Sequence, residues 1–231
     1  MCGTYVGERA EPGSLCGNCL KSLPRTEQAE HRQNETEMTL AGRTSDMVVA
    51  MKVMHLERAA AYLFFEKEQP LQQVIHKMKY SDQPLIGYHL GRQAAMEMLY
   101  ADFFDGIDLI VPVPLHKNRM RSRGYNQSEY IARGLSEVTG IPVDTTHVTR
   151  KKDTPQQAKI AGGGREAKGR ELRKQNVADA FGVNHPEQLY HKHILVVDDL
   201  LTTGETVRSC LKAMKKFRGA EFSVFALCKA R

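Results

Sequence analysis

The sequence predicts an α/β protein, built on a mostly parallel sheet flanked by helices and preceded by a small cysteine-bearing segment. Three observations lead there. The run ILVV at 194–197 is short and unbroken, which suits a strand buried on both faces of a sheet. The stretch DLIVPVP at 108–114 has the same character, and it is closed by Pro112 and Pro114, which cannot continue a ladder. Downstream of the first run, Val207, Cys210, Leu211, Met214 and Phe217 fall at helical spacing on one face, while Lys212, Lys215 and Lys216 fall largely on the other.

Composition sets the bounds. The chain has 231 residues, enough for one full α/β domain and an appendage, and the division expected is 1–40 and 41–231. With 41% hydrophobic and 26% charged residues it has the profile of an ordinary globular chain. No apolar stretch reaches membrane-spanning length, and the N-terminus has no signal-peptide core, so the cytoplasm is the expected location. Five cysteines, an odd number, do not suggest a disulfide framework. The net charge of +6 suits anionic substrates or nucleic acid and demands neither.

Residues 1–40 are polar and rich in turn formers. Cys16 and Cys19 form a C-x2-C pair, and Cys2 lies fourteen residues before it. Such spacing suits one edge of a tetrahedral zinc site, which needs four ligands. Cys2, Cys16 and Cys19 are the candidates, so a fourth cysteine upstream of Met1 is expected to complete a zinc-ribbon-like segment. His31 is a weaker substitute. Next, residues 57–65 read as the first strand of the main domain. Pro70 opens a helix with Leu71, Val74, Ile75 and Met78 on its apolar face, ending at Lys79-Tyr80. Pro84 opens another, through Leu90, Ala94 and Met98 to about Phe104.

After the 108–114 strand come Lys117, Arg119, Arg121 and Arg123, four cations in seven residues, and then a helix carrying Ile131, Leu135 and Val138. Cations at the carboxyl end of a strand face the crevice where open α/β sheets bind ligands. Residues 150–176 are polar, basic and glycine-rich, without a Walker pattern. A long segment of that kind is disordered or a lid. The last strand is expected at 221–228, with Cys210 and Cys228 as plain core residues.

The chemistry concentrates in 193–206, HILVVDDLLTTGET. A helix N-terminus offers unpaired N–H groups and partial positive charge, so it attracts phosphate. Gly204 permits a turn that other residues resist, and Thr202, Thr203 and Thr206 add hydroxyls. Asp198 and Asp199 repel phosphate but accept hydrogen bonds from a sugar diol or ligate magnesium. A ribose 5-phosphate satisfies both ends.

This string resembles the signature with which phosphoribosyltransferases bind phosphoribosyl pyrophosphate. The resemblance implies that the acidic pair meets the ribose hydroxyls and that Leu200, Leu201, Thr202, Thr203, Gly204, Glu205 and Thr206 surround the 5-phosphate. The stretch VPVPLHKNRMRSRGYNQSEYIARGL is similar to the ComF family, the late-competence and GntX-like branch of that superfamily, with Arg123-Gly124-Tyr125-Asn126-Gln127 its most distinctive part. Lys79-Tyr80, the C-x2-C pair, Arg150, Gln156-Gln157, Arg173, Asn176 and Phe181 agree with it. What it implies is a type I phosphoribosyltransferase-like, Rossmann-like fold over nearly the whole chain, with the N-terminal hundred residues as a hood. The catalytic candidates are Asp198, Asp199 and Arg123. Val113, Pro114, Leu115, Asn126 and Gln127 join the substrate-binding set. The 150–176 loop would close over pyrophosphate, with Arg165, Lys168 and Arg170 as contacts.

The reaction so implied is displacement of pyrophosphate at the anomeric carbon with Mg2+ present, with Zn2+ at the cysteines. The acceptor is not legible. The alternative is a non-catalytic competence factor that handles single-stranded DNA beside the uptake machinery. Of the aromatics, only Tyr125 adjoins either basic stretch, whereas single-strand binding usually relies on stacking.

Overall fold

The computed structural model describes residues 12–26, 55–99, 102–152 and 180–230. The elements in order are α1 (Gly17–Lys21), β1 (Leu56–Phe65), α2 (Pro70–Tyr80), α3 (Leu85–Met98), β2 (Leu109–Pro112), α4 (Lys117–Arg123), α5 (Gln127–Thr139), β3 (Val148–Arg150), β4 (Phe181–Val183), β5 (His193–Leu201), α6 (Glu205–Met214) and β6 (Glu221–Ala230). Four strands form a parallel sheet in the order β1-β6-β5-β2. The pair β3-β4 is antiparallel and separate.

The apolar run of β5 lies inside the sheet, between β6 and β2, which is why both of its faces are apolar. Alternation along the strand divides the core. Leu195 and Val197, with Phe225 of β6, pack under α2, α3 and α5 through Val74, Met78, Leu90, Ile131 and Leu135. Ile194 and Val196, with Phe222 and Val224, pack against Val207, Cys210, Leu211 and Met214 of α6 and against Val148 and Phe181. Cys210 and Cys228 are core residues, as expected.

Four differences from the sequence reading have physical causes. Helix α3 stops at Met98 rather than near Phe104; beyond it Asp102 and Gly106 take positive φ, and Phe103 and Phe104 are buried from a turn. Strand β5 runs on through the acidic pair to Leu201, since β6 keeps pairing with it at Leu200 and Leu201. The basic run after β2 is a short helix, α4, whose entry is capped by His116 Nδ1 accepting from the Asn118 N–H. Finally, residues 55–99 belong to the main body rather than to a hood over it, since β1 is an edge strand of the sheet and α2 and α3 cover one face.

The N-terminal segment meets this body at the outer edge of β1. Thr26 N–H donates to the Tyr62 carbonyl and Phe64 N–H donates to the Pro24 carbonyl, so the edge is paired rather than bare. Arg25 braces the joint with a two-pronged contact to Glu97 at 2.6 and 2.7 Å. No helix among the described residues is long and apolar enough to cross a membrane.

Candidate active site at the carboxyl end of the sheet

The candidate site sits where β5 and β2 end and where α5 and α6 begin. Asp198 and Asp199 close the buried part of β5, and Thr202 and Thr203 then turn the chain into α6. Gly204 occupies the helix N-cap at φ 74°, which confirms why glycine stands there. The N-cap position therefore offers no side-chain acceptor to the first helical N–H groups. Arg208 stiffens the turn from one helical turn ahead, donating to the Thr203 carbonyl at 2.7 Å and to Glu205 Oε1 at 2.6 Å. Thr202, Thr203 and Glu205 are exposed, and Thr206 is half-buried.

The acidic pair is held asymmetrically. Asp199 Oδ2 lies 2.7 Å from Lys79 Nζ, at the end of α2, and both side chains are largely covered. Burial pushes the Lys79 ammonium down, but the Asp199 and Asp198 carboxylates more than offset that, so its pKa is raised. Asp198 is buried. Its Oδ1 accepts from the Asp199 N–H at 2.9 Å and from Ser128 Oγ at 3.3 Å. Burial and the neighbouring Asp199 push its carboxyl up to about 7.

The RGYNQ segment is tied into the fold by its own side chains. Asn126 caps α5 by accepting from the Ser128 N–H, and its amide donates to the Val113 carbonyl at 3.1 Å. Tyr125 is buried and donates to the Met78 carbonyl at 2.8 Å. Gln127 is buried with its Nε2 lacking a hydrogen-bond partner. Arg123 lies with its guanidinium 4.9 Å from the Tyr80 ring centroid and donates to the Tyr80 hydroxyl at 3.2 Å. Val113 is buried, and Pro114 and Leu115 are half-buried on the strand exit.

The structure thus gathers Asp198, Asp199, Asn126, Val113 and the α6 turn onto one rim. It directs Leu201 into the core beneath α6 and packs Leu200 against the opposite cluster, so both side chains serve the packing. Ser128 and Arg208 had no signal in the sequence, and Lys79 had only its place beside Tyr80 in the family resemblance. Lys79 comes from a helix more than a hundred residues before its partner. Cys16 caps the N-terminus of α1, its Sγ accepting from the N–H of Cys19 within the helix at 3.4 Å. Cys2, together with Arg165, Lys168 and Arg170 of the expected lid, lies outside the described residues.

Magnesium fits this donor set in one way. Two adjacent carboxylates are hard oxygen ligands, but Lys79 already holds one of them, and no cluster of three metal-binding side chains occurs among the described residues. A magnesium ion that arrives on a diphosphate and keeps most of its waters needs no more from the protein than one or two carboxylates.

Residues 122–231 match the phosphoribosyl transferase domain family, and this span holds the acidic strand end and the glycine-capped helix. The DNA utilization protein YhgH of Escherichia coli is 33% identical over 163 residues, spanning 69% of this chain and 67% of that protein. Competence protein F of Haemophilus influenzae is 28% identical over 233 residues, 99% of this chain and 84% of its own length. A shorter likeness, 28% over 97 residues, joins it to the bifunctional protein PyrR of Latilactobacillus sakei, over 41% of this chain and 46% of that one. The chain belongs to the ComF family of the phosphoribosyltransferase superfamily.

Proposed function

We propose that this protein binds phosphoribosyl pyrophosphate with Mg2+ and transfers its phosphoribosyl group to an acceptor, releasing pyrophosphate. One observation carries the reading. The buried end of β5 delivers Asp198 and Asp199 directly into the glycine turn that opens α6, so diol acceptors and phosphate donors share one rim. Asp199, fixed by Lys79, and Asp198, fixed by Ser128, would take the ribose hydroxyls. The first-turn N–H groups of α6 and the hydroxyls of Thr202, Thr203 and Thr206 would take the 5-phosphate. Magnesium, when bound, would neutralise the departing pyrophosphate. Arg123, at the end of α4, would add a fixed cation on the same side. The route is positioning and electrostatics, with no side-chain nucleophile.

Calorimetric titration of phosphoribosyl pyrophosphate with Mg2+ tests this, with ribose 5-phosphate as a parallel ligand. Saturable, magnesium-dependent binding is expected, and the Asp198→Asn/Asp199→Asn double variant is expected to lose it. Equal binding by wild type and double variant would falsify the assignment. A second reading rests on α4, where Lys117 and Arg121 are exposed and meet no carboxylate among the described residues. The names of the Escherichia and Haemophilus relatives speak of DNA utilization and competence. A short DNA single strand in the same calorimeter, bound with steep salt dependence while the sugar diphosphate is ignored, would favour it. Zinc at the N-terminal cysteines is a separate proposal, checked by the metal content of the purified chain.

A further inference from the structure

The β3-β4 ribbon is held at its foot by a histidine. Asp144 is fixed to the edge of the sheet, its N–H donating to the Ile110 carbonyl of β2. Its carboxylate then turns the chain into β3. Oδ1 accepts from the Thr146 N–H at 2.9 Å and from Thr146 Oγ1 at 2.6 Å, and Oδ2 accepts from the His147 N–H at 3.2 Å. Just past β4, Asn184 donates its N–H to the His147 carbonyl and its side-chain amide to the Thr146 carbonyl. The His147 ring spans the remaining gap. Nδ1 lies 2.8 Å from Asp144 Oδ2, and Nε2 lies 2.9 Å from Oε1 of Gln188, on the short 3-10 helix Pro186–Leu189 that leads toward β5. The ring and the Asp144 carboxylate are both largely covered. An oxygen acceptor thus stands at each ring nitrogen, and a neutral imidazole has only one N–H to donate. The imidazolium satisfies both.

We propose that His147 is a proton-operated latch: doubly protonated, its ring ties the entry of the ribbon to its exit, and loss of one proton frees the Gln188 arm and loosens the ribbon against α6. Val148 and Phe181 are buried in the same core cluster as Val207, Cys210 and Leu211 of α6, so the latch secures what packs on that helix. The charges about the ring favour the closed form. Asp144 faces it from the turn and Glu187 from the 3-10 helix, with His185 beyond, 3.6 Å from Glu187. Burial lowers the proton affinity of His147, but the hydrogen bonds to Gln188 and Asp144 and the Asp144 and Glu187 charges outweigh it, so its pKa is raised above 6.5. Burial pushes the Asp144 carboxyl up, but the hydrogen bonds from Thr146 and His147 hold it below its ordinary value, so it stays charged while His147 titrates. A raised folded value means that the latch is fully stabilising below the unfolded value and is lost as pH rises through the folded one. The inference is independent of what the acidic pair binds. The sequence concealed the latch, because Gln188 lies 41 positions beyond His147.

The test uses the full chain. Long-range proton–nitrogen NMR of the His147 ring, followed from about pH 5 to about pH 9, should show both nitrogens protonated at the acid end. The midpoint should lie above 6.5. Hydrogen exchange at the ribbon amides, corrected for the intrinsic rate, should be about fivefold faster at about pH 8.5 than at about pH 6. His147→Asn should exchange fast at both pH values. Gln188→Ala, a change at an exposed position that leaves the Asp144 turn intact, should do the same, so the test stands even where the histidine variant does not fold. A ring that stays neutral at about pH 6, with the Gln188 amide turned over to donate instead, overturns the latch. So does a midpoint at or below 6.5. Equal exchange in wild type at the two pH values overturns it as well. Retention of the wild-type difference in either variant overturns it too, and assigns the pH response to another group such as His185 or His193.

Discussion

At the scale of single residues, the acidic pair divides its duties by environment. Asp199 has a buried cation, whereas Asp198 has burial with two neutral donors and holds its proton to higher pH than an ordinary carboxyl. The sign of the consequence can be worked out. Asp198 has an ordinary value of 3.8 and a folded value of about 7, so the folded state holds the proton across that window. Its contribution to stability is therefore present below the lower value and is lost as pH rises through the upper one. Asp198→Asn should raise stability at pH 8 by about 1–3 kcal/mol and give no gain at pH 4. Urea denaturation at both pH values measures this, and an equal change at the two would contradict the burial argument. Binding of the sugar diphosphate should strengthen as pH rises through about 7 in wild type, and the asparagine variant should lose that slope in calorimetry. Lys79 is the converse case. Lys79→Met strands the largely covered Asp199 carboxylate and should cost about 3 kcal/mol, and adding Asp199→Asn should restore most of it. A double-mutant cycle in urea that shows additive losses would mean that the pair is not coupled.

Elements show which sequence signals were local. Helix α6 was readable because its stripe, its glycine cap and its acidic first turn all lie within a dozen residues. Helix α4 was not, because four cations over seven residues read equally well as a solvated loop. The contact of α3 with α5 was hidden as well. A Cβ at Gly134 would meet the Tyr88 carbonyl oxygen at 2.1 Å, and one at Gly91 would meet the Ile131 carbonyl oxygen at 2.4 Å, so the helices touch backbone to backbone. Gly134→Ala should separate them at a cost of about 3 kcal/mol, read as a lowered urea midpoint with an unchanged m value. Gly204→Val acts differently. It strains the φ 74° turn at the mouth of the site, so weakened sugar-diphosphate binding should outrun the loss of stability. Retained binding in that variant would take the α6 turn out of the site.

For the whole molecule, the sheet places its edges under cover. Residues 24–26 pair with β1, and Leu23 lies in the same core cluster as Tyr62 and Leu63. Removing residues 1–26 should bare that edge, lower the melting temperature by about 5 °C and promote self-association, visible by size-exclusion chromatography. An unchanged monomer would show that the N-terminal segment is dispensable to the body. Much of the architecture was legible beforehand. Continuous apolar runs can be satisfied only inside a sheet, and stripes at helical spacing only against one, so strands at 57–65, 108–114, 194–197 and 221–228 were readable from residue type. The acidic pair and the TTGET turn were readable too, because one strand end and the next helix start are consecutive in the chain. What the sequence could not determine is everything that depends on chain-distant neighbours: Lys79 on Asp199, Ser128 on Asp198, and Tyr80 beneath Arg123. These contacts are set by how α2, α4 and α5 are placed about the sheet. Packing is a property of summed shape and burial over many residues, whereas a motif records only the residues beside it.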